Sequence, residues 1–190
     1  MYIRNLTFLL YLGVFTLFGC KDNKNTIEDN LLSMRKKAIS LPLDSMVRLH
    51  SKNDTTHFEE RKPTKSVYRY VIYIDSTQCS TCSIDGLHRW NSLIDSVRLN
   101  KLDLSFLFIV SPPKWQLEDV FLAIESSGLK NDIYVDSLSI FSGVNPHLPQ
   151  DIKYHSFILD MDNNPKLVGN VLENPSIRKI FDKLLSSKIE

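Results

Sequence analysis

Long apolar runs are nearly absent from this 190-residue chain. The one extended run, Leu6 to Phe18, falls short of the roughly 20 residues that a comfortable membrane-spanning helix needs. A charge excess is also missing: 23 basic residues meet 22 acidic ones, for a net charge of +1. With no long basic run, the composition carries no argument for nucleic acid as a partner. No GxGxxG, P-loop, HExxH or G-x-S-x-G pattern occurs, so no nucleotide cofactor, zinc-protease or serine-hydrolase chemistry is suggested. No internal repeat is visible. Cysteine is scarce, with three residues: Cys20, Cys79 and Cys82. What remains, 43% hydrophobic and 24% charged, is ordinary for a folded domain with appendages.

The first 20 residues stand apart. Arg4 supplies a basic start, Leu6 to Phe18 a short apolar centre, and Gly19 a small residue before a cut. Leu17-Phe18-Gly19-Cys20 resembles the bacterial lipobox, in which the cysteine is lipidated and becomes the first mature residue. Phe18 is bulkier than that motif usually holds. An uncleaved anchor, or a plain signal with an incidental cysteine, is the other reading. The resemblance implies a signal over residues 1–19, lipidation at Cys20, and a protein anchored to a membrane of the bacterial cell envelope. Lys21-Asp22-Asn23-Lys24-Asn25 then reads either as a solvated tether or as a stretch directing the lipoprotein to the outer leaflet. With Cys20 assigned to lipid, the resemblance leaves Cys79 and Cys82 to pair in an oxidising compartment.

Ile27, Leu31, Met34 and Ala38 predict a short amphipathic helix over 27–40, broken at Leu41-Pro42-Leu43. Met46, Val47 and Leu49 suggest a short strand, and residues 51–66 a loop. Residues 67–74 are rich in Val, Ile and Tyr, as in a strand buried on both faces. Ile84, Leu87, Trp90, Ile94 and Val97 predict one helix over 80–99, with Trp90 on its core face. Leu104 to Val110 is a second buried strand. Leu117, Val120, Phe121 and Ile124 form a helix face closed by Gly128, with Trp115 as an anchor at its start. Asn131 to Val135 is a third strand, and residues 136–153 read as irregular. Ser156 to Leu159 and Lys166 to Gly169 predict a hairpin. A last helix starts near Asn174, with Pro175 at its first position.

The chemistry concentrates at Cys79-Ser80-Thr81-Cys82, placed where a strand ends and a helix begins. Unpaired backbone N–H groups at a helix start favour a thiolate. Spacing of three puts both thiols on one face, with Cys79 as nucleophile and Cys82 one turn inward as the resolving thiol. Three readings stay open: a redox-active pair, an inert disulfide, and a metal site. A metal would need further ligands, with His88 and His155 as candidates. His155 could also tune the cysteine as a cation, or be a polar side chain on a strand edge. His50, His57 and His147 lie in loop-like stretches and are expected to be solvated. Asp160, Asp162 and Asn164 alternate like a calcium loop, but Pro165 and Lys166 follow, so a turn is expected.

Tyr73 to Cys82 resembles the first strand and CxxC of membrane-anchored, extracytoplasmic thioredoxin-like proteins, and Phe157 to Asn164 resembles their late strand and turn. The resemblance covers about residues 67–188. It implies an α/β fold of the thioredoxin type: a central mixed sheet between helical layers over residues 67–190, behind a lipidated tether and extension over 20–66. It implies a thiol–disulfide oxidoreductase acting on exported protein thiols or disulfides through Cys79 and Cys82. With no flavin or nicotinamide motif, a reductase would draw electrons from a partner protein. The alternatives are a degenerate binding module on the same fold, or a copper-binding chaperone. Departures are specific. The family's cis-proline position falls at about Tyr154, which is expected to be trans, because a non-proline cis bond costs about 2.5–4 kcal/mol. The family's buried acid position is Tyr73, and the nearest acid is Asp75. Tyr154, His155 and Asp75 are therefore the expected accessory residues.

Overall fold

The computed structural model describes residues 22–50, 66–78 and 80–186. The expected signal over 1–19, Cys20, residues 51–65 of the expected loop with His57, and Cys79 lie outside the described residues. Six strands form one sheet in the order β1-β4-β3-β2-β5-β6. They are β1 (Val47–Leu49), β2 (Tyr68–Ile74), β3 (Leu104–Val110), β4 (Ile133–Val135), β5 (Ser156–Leu159) and β6 (Pro165–Val168). β2, β3 and β4 run parallel, with Ile74 opposite Val110 and Val110 opposite Val135. β5 is antiparallel to β2, β6 to β5, and β1 to β4. Two parallel crossovers followed by an antiparallel hairpin and a helix are the thioredoxin-like order, as expected. β1 extends the sheet beyond that core.

Alternation along the central strands makes two apolar layers. Tyr70, Ile72 and Ile74 face Ile84, Trp90, Val120 and Phe181. Val71 and Tyr73 face the other way, toward Met34, Ile39, Phe141 and Tyr154. The first layer belongs to helices α2 (Ser80–Asp85), α3 (Asn91–Leu99), α4 (Leu117–Ser126) and α6 (Pro175–Ser186). The second belongs to α1 (Asp22–Arg35) and α5 (Ile140–Val144). Among the described residues, no helix is long and apolar enough to cross a membrane.

Several boundaries differ from expectation, each for a visible reason. α1 ends at Arg35, not near 40. Beyond it, Ile39 N–H donates to Asn163 O at 2.9 Å, and the buried Asn145 side chain bonds both backbone groups of Ser40. These tertiary bonds replace the helical ones. The single helix expected over 80–99 is two helices separated by a 3-10 turn, Gly86–Trp90. Gly86 weakens helical propensity at the break. The apolar spacing still holds, so Trp90 is buried and meets Tyr70 edge-on at 5.1 Å. The stretch 136–153 is more ordered than its composition suggested, containing α5 and a 3-10 turn at Ile152–Tyr154. Trp115 is not an anchor: it is 78% exposed.

Other local signals operate as read. Gly128 follows α4 in the left-handed region at φ +67°. Asn174 Oδ1 accepts Ser176 N–H at 2.9 Å and Ile177 N–H at 3.2 Å, capping α6 ahead of Pro175. The β5–β6 turn is an Asx turn, not a cation loop. Asp160 Oδ1 accepts from the N–H groups of Asp162 and Asn164, and Oδ2 pairs with Lys166 at 2.8 Å. Burial opposes ionisation of Asp160, but Lys166 and the two N–H groups outweigh it and hold the carboxyl below its ordinary range. The buried Arg69 of β2 donates to Asp160 O, which ties the turn to the central strand.

Candidate functional site

Parallel strands bring their C-terminal ends to one edge of a sheet, where loops can assemble a site. Here that edge collects the turn after β2, the Ser111 segment after β3, Asp136 after β4, and the start of β5. The backbone joins them directly. Tyr73 N–H donates to His155 O at 2.8 Å, Ser111 N–H to Ile74 O at 2.8 Å, and Asp136 N–H to Val110 O at 2.8 Å.

The turn leading into the CxxC is built by Asp75. Its Oδ1 accepts Thr77 N–H at 3.0 Å and Thr77 Oγ at 2.7 Å, and its carbonyl accepts Gln78 N–H at 3.3 Å. A short side-chain acceptor that bonds two residues ahead reverses the chain in this way. Chain direction therefore changes sharply between Ile74 and Ser80, where α2 begins.

Cys82, in the middle of α2, is disulfide-bonded. The other two cysteines, Cys20 and Cys79, lie outside the described residues. Cys82 is solvent-exposed. α2 is only six residues long and gives way to the 3-10 turn. The long row of aligned peptide dipoles expected from an 80–99 helix is thus absent, and side chains must carry more of the local electrostatics.

A cleft of about 410 Å³ opens beside Cys82. Leu87 and Trp90 supply apolar wall, Gln78 and Arg89 lie on the α2 side, and Ile152 and His155 close it from the β5 side. His155 is 3% exposed, so it is not a surface strand-edge residue. Its Nε2 lies 2.9 Å from Pro149 O, which fixes Nε2 as the donor, because a carbonyl can only accept. Nδ1 is then the free position. It lies 3.7 Å from Asp75 Oδ2, outside hydrogen-bond distance, and makes no hydrogen bond. The ring packs 5.1 Å from Tyr73. Of the expected accessory residues, Asp75 and His155 lie side by side, and His155 lines the cleft with Cys82.

Tyr154 does not join them. It belongs to the second apolar layer, and the cleft does not include it. Its peptide bond is trans, as are all those described. The 3-10 turn uses its own backbone: Tyr154 N–H donates to Asp151 O and His155 N–H to Ile152 O, each at 3.0 Å. With His155 O taken by Tyr73, both backbone groups of His155 are internally paired.

His147 also differs in setting from expectation, and His88, a candidate ligand, lies apart from the cleft. His88 is exposed, and its Nδ1 lies 2.7 Å from Asp85 O. His147 is partly buried, with both ring nitrogens shielded and unpaired, so it is not solvated. His50 is exposed at the surface near Asp132. Among the described residues, no group of three or more His, Cys, Asp and Glu side chains is placed to hold a metal ion.

Sequence reasoning missed the second polar cluster at this edge. Asp136 is 1% exposed, and its carboxylate accepts from Ser111 Oγ at 3.0 Å, Ile140 N–H at 2.9 Å and Phe141 N–H at 2.8 Å. The available signal was an aspartate four residues before a short apolar pair. Tyr73, expected at the acid position of the resembled family, is buried in the second apolar layer. Burial raises its hydroxyl pKa above the ordinary value, against the opposing effect of the Ser111 and Ser142 hydroxyls.

No protein-family model matches the sequence. No curated protein matches it either. Three solved structures show similarity. The thioredoxin domain of a thiol-disulfide oxidoreductase from Bacteroides vulgatus is 14% identical, at a TM-score of 0.45 over 64% of this chain and 81% of that one. An uncharacterized conserved protein from Geobacillus kaustophilus is 14% identical, at 0.44 over 71% and 68%. A hypothetical protein from Sinorhizobium meliloti is 12% identical, at 0.44 over 71% and 69%. The thioredoxin-like assignment rests on strand order and register, independently of these likenesses.

Proposed function

We propose that the chain is an extracytoplasmic thiol–disulfide oxidoreductase, held to the bacterial cell envelope by lipid on Cys20. Cys79 and Cys82 are its exchanging pair, and its substrates are exported thiols or disulfides. The observation that carries this reading is the exposed, disulfide-bonded Cys82 beside a cleft closed by the buried His155, whose ring lies 3.7 Å from Asp75. An inert structural disulfide needs neither a cleft nor an ionisable neighbour. Exchange needs access for an incoming thiolate and a group that handles its proton. The missing redox cofactor motif makes a second protein the source or sink of electrons.

One observation favours a degenerate binding module instead. The backbone of His155, the residue after the expected cis-proline position, is fully paired within the protein and offers no group to an extended substrate. Exposure of the purified protein to oxidised glutathione after mild reduction separates the two. A stable glutathione adduct on Cys82→Ser, resolved rapidly in the wild type, supports exchange. Absence of any adduct supports the binding module. Fatty-acid labelling that disappears in Cys20→Ser tests the anchor.

A further inference from the structure

Two shielded polar atoms at the cleft beside Cys82 have no hydrogen-bond partner: Gln78 Nε2 and His155 Nδ1. Both residues line the cleft, Gln78 from the α2 side and His155 from the β5 side. Buried polar groups are nearly always paired, and an orphan forfeits its hydration without return. The two atoms are complementary. Gln78 Nε2 can only donate. His155 Nε2 is committed as donor to Pro149 O at 2.9 Å, so the neutral ring can only accept at Nδ1. The His155 side chain is 4% exposed and packs against Tyr73, which fixes the acceptor in place. The missing partner must therefore supply one donor and one acceptor to opposite walls. A water or hydroxyl offers a single oxygen, whereas a carboxamide offers separate donor and acceptor atoms.

The rest of the cleft narrows the choice. Asp75 Oδ2 lies 3.7 Å from His155 Nδ1 and opposes a carboxylate there. The exposed Arg89 and Glu173 line the cleft with opposite charges, so its walls favour neither sign. Leu87, Trp90, Ile152 and Leu172 supply apolar wall. A peptide backbone laid against them would leave further N–H and C=O groups unpaired. A side-chain carboxamide on a methylene stem would not. We propose that the cleft is a recognition pocket for an Asn or Gln side chain, carried by the substrate next to the thiol or disulfide it presents to Cys82. This rests on the oxidoreductase reading above and adds a substrate class. The stem lies against the apolar wall, the amide N–H donates to His155 Nδ1, and the amide oxygen accepts from Gln78 Nε2. Gln78 presents its amide by turning about the terminal bond, a torsion with broad wells. The volume of about 410 Å³ lies in the range of small-ligand pockets.

The chain has two tryptophans, and Trp90 lines the cleft, so Trp90 fluorescence in a Trp115→Phe background reports occupancy of the pocket. The probes are blocked tripeptides with serine in place of cysteine and Asn, Gln, Asp, Lys, Ser or Leu beside it, so binding is read without exchange. The Asn and Gln peptides should bind the full chain roughly tenfold more tightly than the others. Gln78→Leu and His155→Phe should each abolish that preference. Gln78 is half-buried, so Gln78→Leu carries the test however well His155→Phe folds. Equal binding of all peptides overturns the pocket. So does a Ser peptide that matches Asn, or an amide preference that survives both substitutions. Cysteine versions of the same peptides, as glutathione mixed disulfides, should exchange fastest with Asn or Gln alongside. Exchange without that preference overturns the pocket. Amide-selective binding with no exchange by any peptide overturns the oxidoreductase reading and not the pocket.

Discussion

Two buried polar clusters share one edge of the sheet, and they are built on opposite principles. Around Asp136 the carboxylate has three donors, and the neighbouring hydroxyls of Ser111 and Tyr73 are paired. Around the CxxC, Gln78, Ser80 and His155 each keep an idle polar atom. The idle atoms themselves are shielded, although Gln78 and His155 line an open cleft. A satisfied cluster holds elements in place: Asp136 joins β4, the segment after β3, and α5. An unsatisfied one lowers stability without binding elements together, which is the pattern expected where a bound ligand supplies the missing partner.

The comparison can be broken at several points. Asp136→Ala should have the largest effect, a loss of about 3 kcal/mol or more, because two backbone N–H groups and one hydroxyl become buried orphans. Urea unfolding measures this, and a loss under about 1 kcal/mol would mean that the cluster is not a structural clamp. Asp75→Ala removes the acceptor that turns the chain toward the CxxC, at a cost of about 1 kcal/mol. Its exchange rate should fall more than its stability does.

The tyrosines give a pH test. Tyr73 and Tyr70 both have hydroxyl pKa values raised in the folded protein, chiefly by burial. The unfolded chain therefore loses these protons first. The stabilisation is complete below the ordinary tyrosine pKa and is lost as pH rises through the folded values. Stability should decline in the alkaline range, and Tyr73→Phe should flatten that decline while costing about 1 kcal/mol at neutral pH. An unchanged alkaline slope would remove Tyr73 as a cause. The smallest effect belongs to Trp115→Ser. Trp115 is exposed, touches neither cluster, and should leave stability within about 0.5 kcal/mol and exchange unchanged.

Much of the architecture was legible in the residues. The strand at 104–110 and the cap and proline opening α6 follow from apolar patterning and terminal chemistry, which are local. The candidate site was legible in part. Asp75 and His155 were expected near the CxxC from the resemblance; His155 lines the cleft, and Asp75 neighbours it. The 3-10 break at Gly86, the clamp at Asp136 and the inward turn of Tyr154 were not legible. The break and the clamp are local but carry no periodic apolar signal, and the turn of Tyr154 depends on packing against the distant β2 and α5.

The sequence by itself determined the order of strands and helices, and the placement of a CxxC between a buried strand and a helix. Periodicity encodes which face is buried, and a CxxC is defined by spacing alone. Tertiary structure decided that Cys82 faces solvent, that His155 is buried with its Nε2 committed to Pro149, and that Tyr154 packs away from the cleft. The burial of His155 and Tyr154 depends on the register of β5 against β2, whose partners are 84 to 90 residues apart, and the Pro149 bond on the path of the segment before β5. The apolar spacing within either segment carries no record of them.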